Sequence, residues 1–453
     1  MPVIDKLTEI AQNIAKGGLG IDIVFCSEAD SFYIYQDDYW QVIYDMELAK
    51  MIIDHPHFRD RVLIYSVVRR KQILDNLKII LQKRLEFFNA KGYINFDFAE
   101  FDPIENKYHS HNKEHYSTIR IAYPNMENIG VDLWLKTLNE IFENEYKKVA
   151  MLQEFFGYCL TRNTEQRKAL LLLGESNCGK STILNILRSM IGKANCSSVP
   201  LKYISHPQYT PMLINKLVNI DSDVSARAEE FEAQFKIITS GEPVSCNQKF
   251  IETFEFIPYC KLVMAANVFP KITDHSSAFY NRLILIPCNR VFTEKEQDKN
   301  LFKKLEQELF GIFQWAVLGL ERLQKRGMFE ELEFVREAVQ ELEDENNPSN
   351  VFFNEHVEIE MGGYIEKSEL YDKYKAWGER TKTYVLSKSR FGMAVYKKFH
   401  KLTPKETNEP SIGKRVWRNL KYVDNKDHIK ETIMQFTRTE VSTEVSAEIN
   451  WEE

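Results

Sequence analysis

The stretch Gly174-Glu175-Ser176-Asn177-Cys178-Gly179-Lys180-Ser181-Thr182 has the residue types and spacing to hold phosphate groups. Glycines at both ends let the backbone curl, so that successive N–H groups point inward at anionic oxygens. Lys180 then reaches the β- and γ-phosphates, and the Ser181 hydroxyl is offered to Mg²⁺. The bland alternative is a structural glycine turn. The four leucines before the glycine and the helical pattern after it favour a phosphate loop.

Three further positions fit the same chemistry. Lys216-Leu217-Val218-Asn219-Ile220 is an apolar strand ending in Asp221 and Asp223, which would bring carboxylates beside the loop. One would hold Mg²⁺ and the other polarise an attacking water. Lys261-Leu262-Val263-Met264-Ala265-Ala266 is a second buried strand, ending in Asn267. An amide there either positions water or the γ-phosphate, or is an ordinary strand-end residue. Arg282 stands immediately before a further strand, Leu283–Pro287, as an arginine finger for a neighbouring subunit or as a surface ion-pair residue.

These groups need buried strands with helices between them, so the fold class expected is α/β. Leu170–Leu173 is the strand feeding the loop, and Ser181-Thr182-Ile183-Leu184 opens the helix after it. Residues 1–92 read as a small α+β unit with helices near 4–14, 45–55 and 68–92, and with β-type runs at 23–25, 32–35 and 39–43. Residues 93–165 read as a collar. It has strands at 93–98 and 117–123, and two helices whose apolar stripes include Leu135, Leu138, Ile141 and Phe142, then Val149, Leu152, Phe155, Phe156 and Cys159. His109, His111 and His115 are read as solvated loop residues, since no cysteine or carboxylate spacing supports a metal site. Residues 166–330 form the core. A helix near 227–239 leads to a hairpin through Cys246-Asn247-Gln248-Lys249-Phe250.

Residues 331–429 form a basic C-terminal domain. Helices containing Leu370, Tyr371, Tyr374 and Trp377, and then Phe391, Val395 and Phe399, precede a strand at 416–423, a winged-helix-like order. Between Val395 and Tyr422 the bases are Lys397, Lys398, Lys401, Lys405, Lys414, Arg415, Arg418 and Lys421, against only Glu406 and Glu409. That surplus suits nucleic acid or an acidic partner. Residues 430–453 read as a flexible acidic tail.

The net charge of −7 excludes a protein coated in positive charge, so any nucleic-acid contact must be local. Seven scattered cysteines, with no C-x-x-C pair, argue against a disulfide framework and a zinc site. No apolar run suggests a membrane span or a signal segment, and a cytoplasmic protein is expected.

Taken in order, the motifs resemble the superfamily 3 helicases of the phage and plasmid primase-helicase type, which includes the poxvirus primase-helicases. The carriers are Phe155-Phe156-Gly157-Tyr158-Cys159-Leu160, Gly174–Ser181, Ser240-Gly241-Glu242-Pro243-Val244, Lys261–Asn267 with Pro270, Tyr280-Asn281-Arg282-Leu283, and Gln314-Trp315-Ala316 with Gly319-Leu320. The resemblance implies an AAA+-like P-loop ATPase core that uses ATP and Mg²⁺. It also implies a ring, usually a hexamer, on single-stranded or forked DNA. Lys180, Ser181, Asp221, Asp223 and Asn267 would serve one site, with Arg282 supplied in trans. Lys249 would be the pore residue, with Phe250 beside it to stack on bases, and Lys397, Lys398, Lys414, Arg415 and Arg418 would add DNA contacts. Nothing in the chain resembles a primase, so a primase or polymerase is expected in a longer protein or on a separate chain. The rival is an ATP-switched DNA-binding initiator or assembly factor that does not unwind.

Overall fold

The computed structural model describes residues 3–59, 65–224, 231–247, 253–268, 272, 277–346, 348–399, 408–409 and 414–424. The chain forms two compact units, Met1–Val339 and Gln340–Glu453. Both mix helices and strands.

In the first unit, α1 (Val3–Asn13) buries Leu7, Ile10 and Ala11 at helical spacing. Strands β1 (Asp22–Cys26), β2 (Ser31–Gln36) and β3 (Tyr39–Ile43) form an antiparallel meander. Asp37 and Asp38 turn the second hairpin with φ of 51° and 65°, the two successive left-handed residues that a tight hairpin needs. Helices α2 (Asp45–Asp54) and α3 (Val67–Ile80) follow. The helix expected to reach residue 92 stops at Ile80. The next residues form β4 (Gln82–Lys83), parallel to β1, and the Glu28 carboxylate accepts the Leu85 N–H at 3.1 Å.

The expected strands at 93–98 and 117–123 are mostly irregular. Only β5 (Ile94–Asn95) joins β6 (Glu100–Asp102) and β7 (Lys107–His109) in a sheet. The second segment is held instead by the buried Asn95 amide, which donates to Ser117 Oγ and the Ile119 carbonyl at 2.8 Å each. The histidines here are partly buried rather than solvated. His115 Nδ1 lies 2.6 Å from the buried Glu100 carboxylate, and His111 Nε2 lies 2.8 Å from the Phe96 carbonyl. Among the described residues no group of histidine, cysteine or acidic side chains is arranged for a metal ion.

Helices α4 (Asp132–Ile141) and α5 (Tyr146–Tyr158) lead to the main sheet. Trp134, rather than the expected Leu135, anchors α4, with its ring 5.9 Å from those of Phe156 and Trp315. The sheet is parallel throughout and contains β8 (Ala169–Leu173), β9 (Cys196–Ser197), β10 (Val218–Asp221), β13 (Lys261–Ala266) and β14 (Leu283–Pro287). Their spatial order is β14-β8-β13-β10-β9. Helix α6 (Lys180–Ile191) follows β8, and α7 (Glu232–Ser240) precedes the antiparallel hairpin β11 (Val244–Cys246) and β12 (Phe254–Phe256). Helix α8 (Leu309–Arg326) packs on α5 at close range. A Cβ on Gly157 would fall 2.3 Å from the Ala316 carbonyl, and one on Gly319 would fall 2.4 Å from that of Gln153. Only glycine lets these backbones approach so closely. Among the described residues no helix is long and apolar enough to cross a membrane.

Lys261 opens β13 fully buried. Its ammonium donates to the Thr161 and Tyr259 carbonyls at 2.6 and 3.0 Å and lies over the Tyr158 ring. Burial outweighs these contacts and brings it down to about 7. The unfolded chain therefore binds the extra proton between about pH 7 and the ordinary lysine range. Stability should rise with pH across that window in Lys261-containing protein, and the rise should vanish in Lys261→Met. Denaturant midpoints between pH 7 and 9.5 check this.

Helix α9 (Glu333–Asn346) spans the division at Val339, and the second unit continues with α10 (Pro348–His356), β15 (Val357–Glu366), α11 (Lys367–Thr381), α12 (Lys388–Phe399), β16 (Asn408–Glu409) and β17 (Lys414–Tyr422). The strand order is β15-β17-β16. Phe352, Tyr374 and Phe391 fill the core, with the last two rings stacked 4.4 Å apart. Sequence reading missed α10 and β15. Pro348 looks like a breaker but stands at a helix start, where its missing N–H costs nothing. Gly362-Gly363 interrupts the pattern of β15, which is bulged between Ile359 and Tyr364. Residues 430–453 lie outside the described residues.

Candidate functional site

Strand β8 is buried between two parallel partners. Leu173 is level with Ala266 on β13 and Pro287 on β14, so all three strands end on one edge. The chain then curls tightly. A Cβ on Gly174 would meet the Cys288 carbonyl at 2.2 Å. Gly179 has φ of 90°, and a Cβ there would meet Ile141 Cγ1 at 2.5 Å. Asn177 is also left-handed, at φ 62°. Both glycines are thus required by geometry as well as by the motif. The turn opens directly into α6, whose first N–H groups have no intrahelical partner and whose first residues line the same space.

Lys180 folds back over this loop. Its ammonium donates to the carbonyls of Gly174 and Glu175 at 2.6 Å each, to Asn267 Oδ1 at 3.1 Å and to Cys178 Sγ at 3.3 Å. No carboxylate is among these hydrogen-bond partners, although Glu140, Asp223, Glu296 and Asp298 line the same cleft. Asn267 also donates to Ser176 Oγ at 3.2 Å, which ties the end of β13 to the loop. The cleft over these groups is about 810 Å³ and is lined by Ser176–Thr182, Ser222, Asp223 and Asn267, with Thr137 and Ile141 from α4 and Phe292 and Phe302 opposite. That volume is in the range that takes a small organic ligand. Cationic charge, inward N–H groups and a helix N-terminus fit a polyphosphate.

The two acids separate. Asp221 is level with Met264, two residues short of the strand ends. Its carboxylate accepts the Leu201 N–H at 2.7 Å and the Asp223 N–H at 3.4 Å, and burial pushes its pKa up. Asp223 is exposed and lines the cleft, as does Ser181. Ser181 and Asp223 therefore share the cleft, and Asp221 fixes the strand end behind them. If the cleft hydrolyses a nucleotide with a bound divalent ion, Asp223→Asn should cut that turnover by about a hundredfold or more at unchanged melting temperature. Asp221→Ala should instead cost about 1–3 kcal/mol of stability, because the Leu201 N–H loses its acceptor. Phosphate release and thermal melts on both variants separate the roles.

Arg282 lies at the other edge. Its carbonyl accepts the N–H of Ala169, the first residue of β8, so the length of that strand, about 16 Å, lies between it and the loop. The guanidinium donates to the Ala278 carbonyl at 2.6 Å and to Ser240 Oγ at 3.0 Å, and its Nε is buried without a partner. Burial and then Arg167 lower its pKa. Lys168 is beside it, donating to the Asn281 carbonyl at 2.6 Å, and burial lowers its pKa too. Sequence reading missed Arg167 and Lys168. The available signal was a basic pair directly before the first buried strand, at the same level as the arginine before β14.

Lys249 and Phe250 lie outside the described residues, although the stem of their hairpin pairs Val244 with Phe256 and Cys246 with Phe254. In the second unit Lys397 and Lys398 are exposed at the end of α12, with Lys398 donating to Asn354 Oδ1 at 2.6 Å. Arg415 and Arg418 are exposed on β17, Lys414 begins that strand, and Val416, Trp417 and Leu420 are buried. Lys401 and Lys405 fall outside the described residues.

A family of unknown function (DUF5906) matches residues 172–282, from within β8 to the arginine before β14. No curated protein matches the chain. Among solved structures the chain is similar to the A form apo structure of the NrS-1 C-terminal region (305–718), at a TM-score of 0.52 and 12% identity over 91% of this chain and 99% of that one. A second apo structure of the same NrS-1 region matches at a TM-score of 0.52 and 12% identity, over 91% of this chain and 98% of that one. At this identity the likeness is one of fold, and it extends over nearly the whole chain.

Proposed function

We propose that the chain is the ATP-dependent motor of a replicative DNA helicase from a phage or other mobile element. It assembles as a ring, expected to be a hexamer, on single-stranded DNA and works with a primase or polymerase. One observation carries the reading. The phosphate-binding loop and the cation best suited to complete its site, Arg282, occupy opposite edges of one parallel sheet. A chain cannot bring the two together by itself, whereas a head-to-tail neighbour can.

Bound ATP and Mg²⁺ would supply the phosphoanhydride to be cleaved and the charge that neutralises its oxygens. The chain's own residues do the rest. The loop N–H groups and the start of α6 hold anionic oxygens. Lys180 exchanges its carbonyl partners for phosphate, which frees Asn267 and so reports occupancy to β13. Ser181 and Asp223 hold the ion, and the Asp223 carboxylate orients water. The chain returns from the β11–β12 hairpin into β13, which ends at Asn267, so that strand is the route by which site occupancy would reach the segment carrying Lys249. The second unit, read as winged-helix-like, would add contacts through Lys397, Lys398, Lys414, Arg415 and Arg418.

The test is strand displacement on forked DNA with ATP and Mg²⁺, run beside a sedimentation measurement of assembly size. ATP-dependent unwinding by a ring-sized species is the expected result. Nucleotide-driven assembly that never displaces a strand would replace the motor by the initiator reading.

A further inference from the structure

Two cysteines meet under the phosphate loop. Cys178 belongs to the loop itself, and Cys288 follows β14, where its N–H donates to the Leu173 carbonyl at 2.7 Å. The position a Gly174 Cβ would take is 2.2 Å from the Cys288 carbonyl and 3.1 Å from Cys178 Sγ, so the two residues close on the same point. Both are 1% exposed, yet Cys178 lines the cleft. Its sulfur also accepts from the Lys180 ammonium at 3.3 Å.

The other cysteines behave as inert core residues. Burial pushes Cys26, Cys196 and Cys260 up to about 12 and Cys246 up to about 11. Cys178 moves the opposite way, lowered by the neighbouring Cys288 side chain and by the Lys180 ammonium beside it. Cys288 is raised by Cys178 and by burial, and its thiol donates to the Ile286 carbonyl at 3.9 Å. A thiol held low beside a cation, with a second cysteine closing on the same glycine, is the arrangement of a reactive and a resolving cysteine.

We propose that Cys178 and Cys288 are a modification site in the floor of the cleft, oxidised by hydroperoxides to a disulfide that weakens ligand binding at the loop. The effect on binding rests on the nucleotide reading above, whereas the disulfide itself does not. The Cys178 thiolate attacks one peroxide oxygen, so that an S–O bond forms, the O–O bond breaks, and water or an alcohol leaves with the thiol proton. The Cys288 sulfur then attacks Cys178 Sγ, an S–S bond forms, the S–O bond breaks, and a second water leaves. The two sulfurs together lose two electrons and the peroxide gains them. A dithiol reverses the change. The bond would draw Cys178 and its N–H toward β14 and remove the sulfur that accepts from Lys180, distorting the loop where phosphate would bind.

Folded full-length protein is treated with hydrogen peroxide, digested without reduction and analysed by mass spectrometry, while a fluorescent ATP analogue reports binding. A Cys178–Cys288 cross-linked peptide is expected, with affinity lowered about tenfold or more and restored by dithiothreitol. Cys288→Ser should bind the analogue as the wild type does and stop at Cys178 sulfenic acid, trapped by a dimedone adduct. Absence of the cross-link from oxidised wild type overturns the site. A cross-link that leaves affinity unchanged overturns its effect on binding. A reduced protein that binds no analogue but still forms the cross-link refutes the nucleotide reading and upholds the modification site.

Discussion

Lys180→Ala is expected to lower ATP turnover by at least about a hundredfold while leaving the fold intact. The Lys180 side chain is largely buried, but its partners are loop carbonyls and one amide at a cleft that water can enter. Losing it should cost only about 1 kcal/mol of stability, since water can replace the ammonium at those acceptors. Alanine also suits the first position of α6. What is lost is the one full positive charge that faces the cleft from the loop. Phosphate release at saturating ATP, with a melting curve on the same sample, checks both halves. Turnover near that of the wild type would show that the loop is only a structural turn.

Arg282→Ala should divide binding from turnover. Arg282 is a strand length from its own loop, so the affinity of a single chain for nucleotide should change less than about threefold. Turnover should fall about a thousandfold if the guanidinium completes a neighbour's site, the size of effect that a trans arginine provides in phosphoryl transfer. Its present setting fits that role better than a static one. A buried Nε without a partner and the adjacent Arg167 both disfavour the charge where it stands, and an incoming anion would relieve both. Arg282→Lys should rescue little, because an ammonium cannot reproduce the planar fork. Equilibrium binding and steady-state hydrolysis on the two variants are sufficient. Wild-type turnover in Arg282→Ala would remove the trans role.

The tight glycine loop was legible in the sequence because its geometry is local. Gly174 and Gly179 are demanded by a close carbonyl and a left-handed φ, and no other residue meets those demands. The buried strands β8, β13 and β14 were legible as unbroken apolar runs. Their spatial order was not, because it depends on pairings between residues far apart in the chain, such as Leu171 with Met264 and Leu285. Register therefore decided what spacing left open. It placed Asp223 at the cleft and left Asp221 behind it, satisfied by the Leu201 N–H. It also set Arg167 and Lys168 beside Arg282, although more than a hundred residues separate them. Local pattern misled where a distant side chain intervened. Glu28 captures the backbone just past α3 and Asn95 organises the segment at 117–121, and neither effect has a periodic signature.

The central claim is that the loop is half of a site shared between subunits, and mixing tests it directly. Lys180→Ala and Arg282→Ala proteins, each inactive alone, are combined in equal amounts, allowed to exchange subunits, and assayed for phosphate release on single-stranded DNA. About a quarter of the interfaces should then pair an intact Lys180 with an intact Arg282 from the neighbour, and turnover should return in that proportion. A mixture as inactive as its components, in assemblies shown to have exchanged, would contradict the shared site.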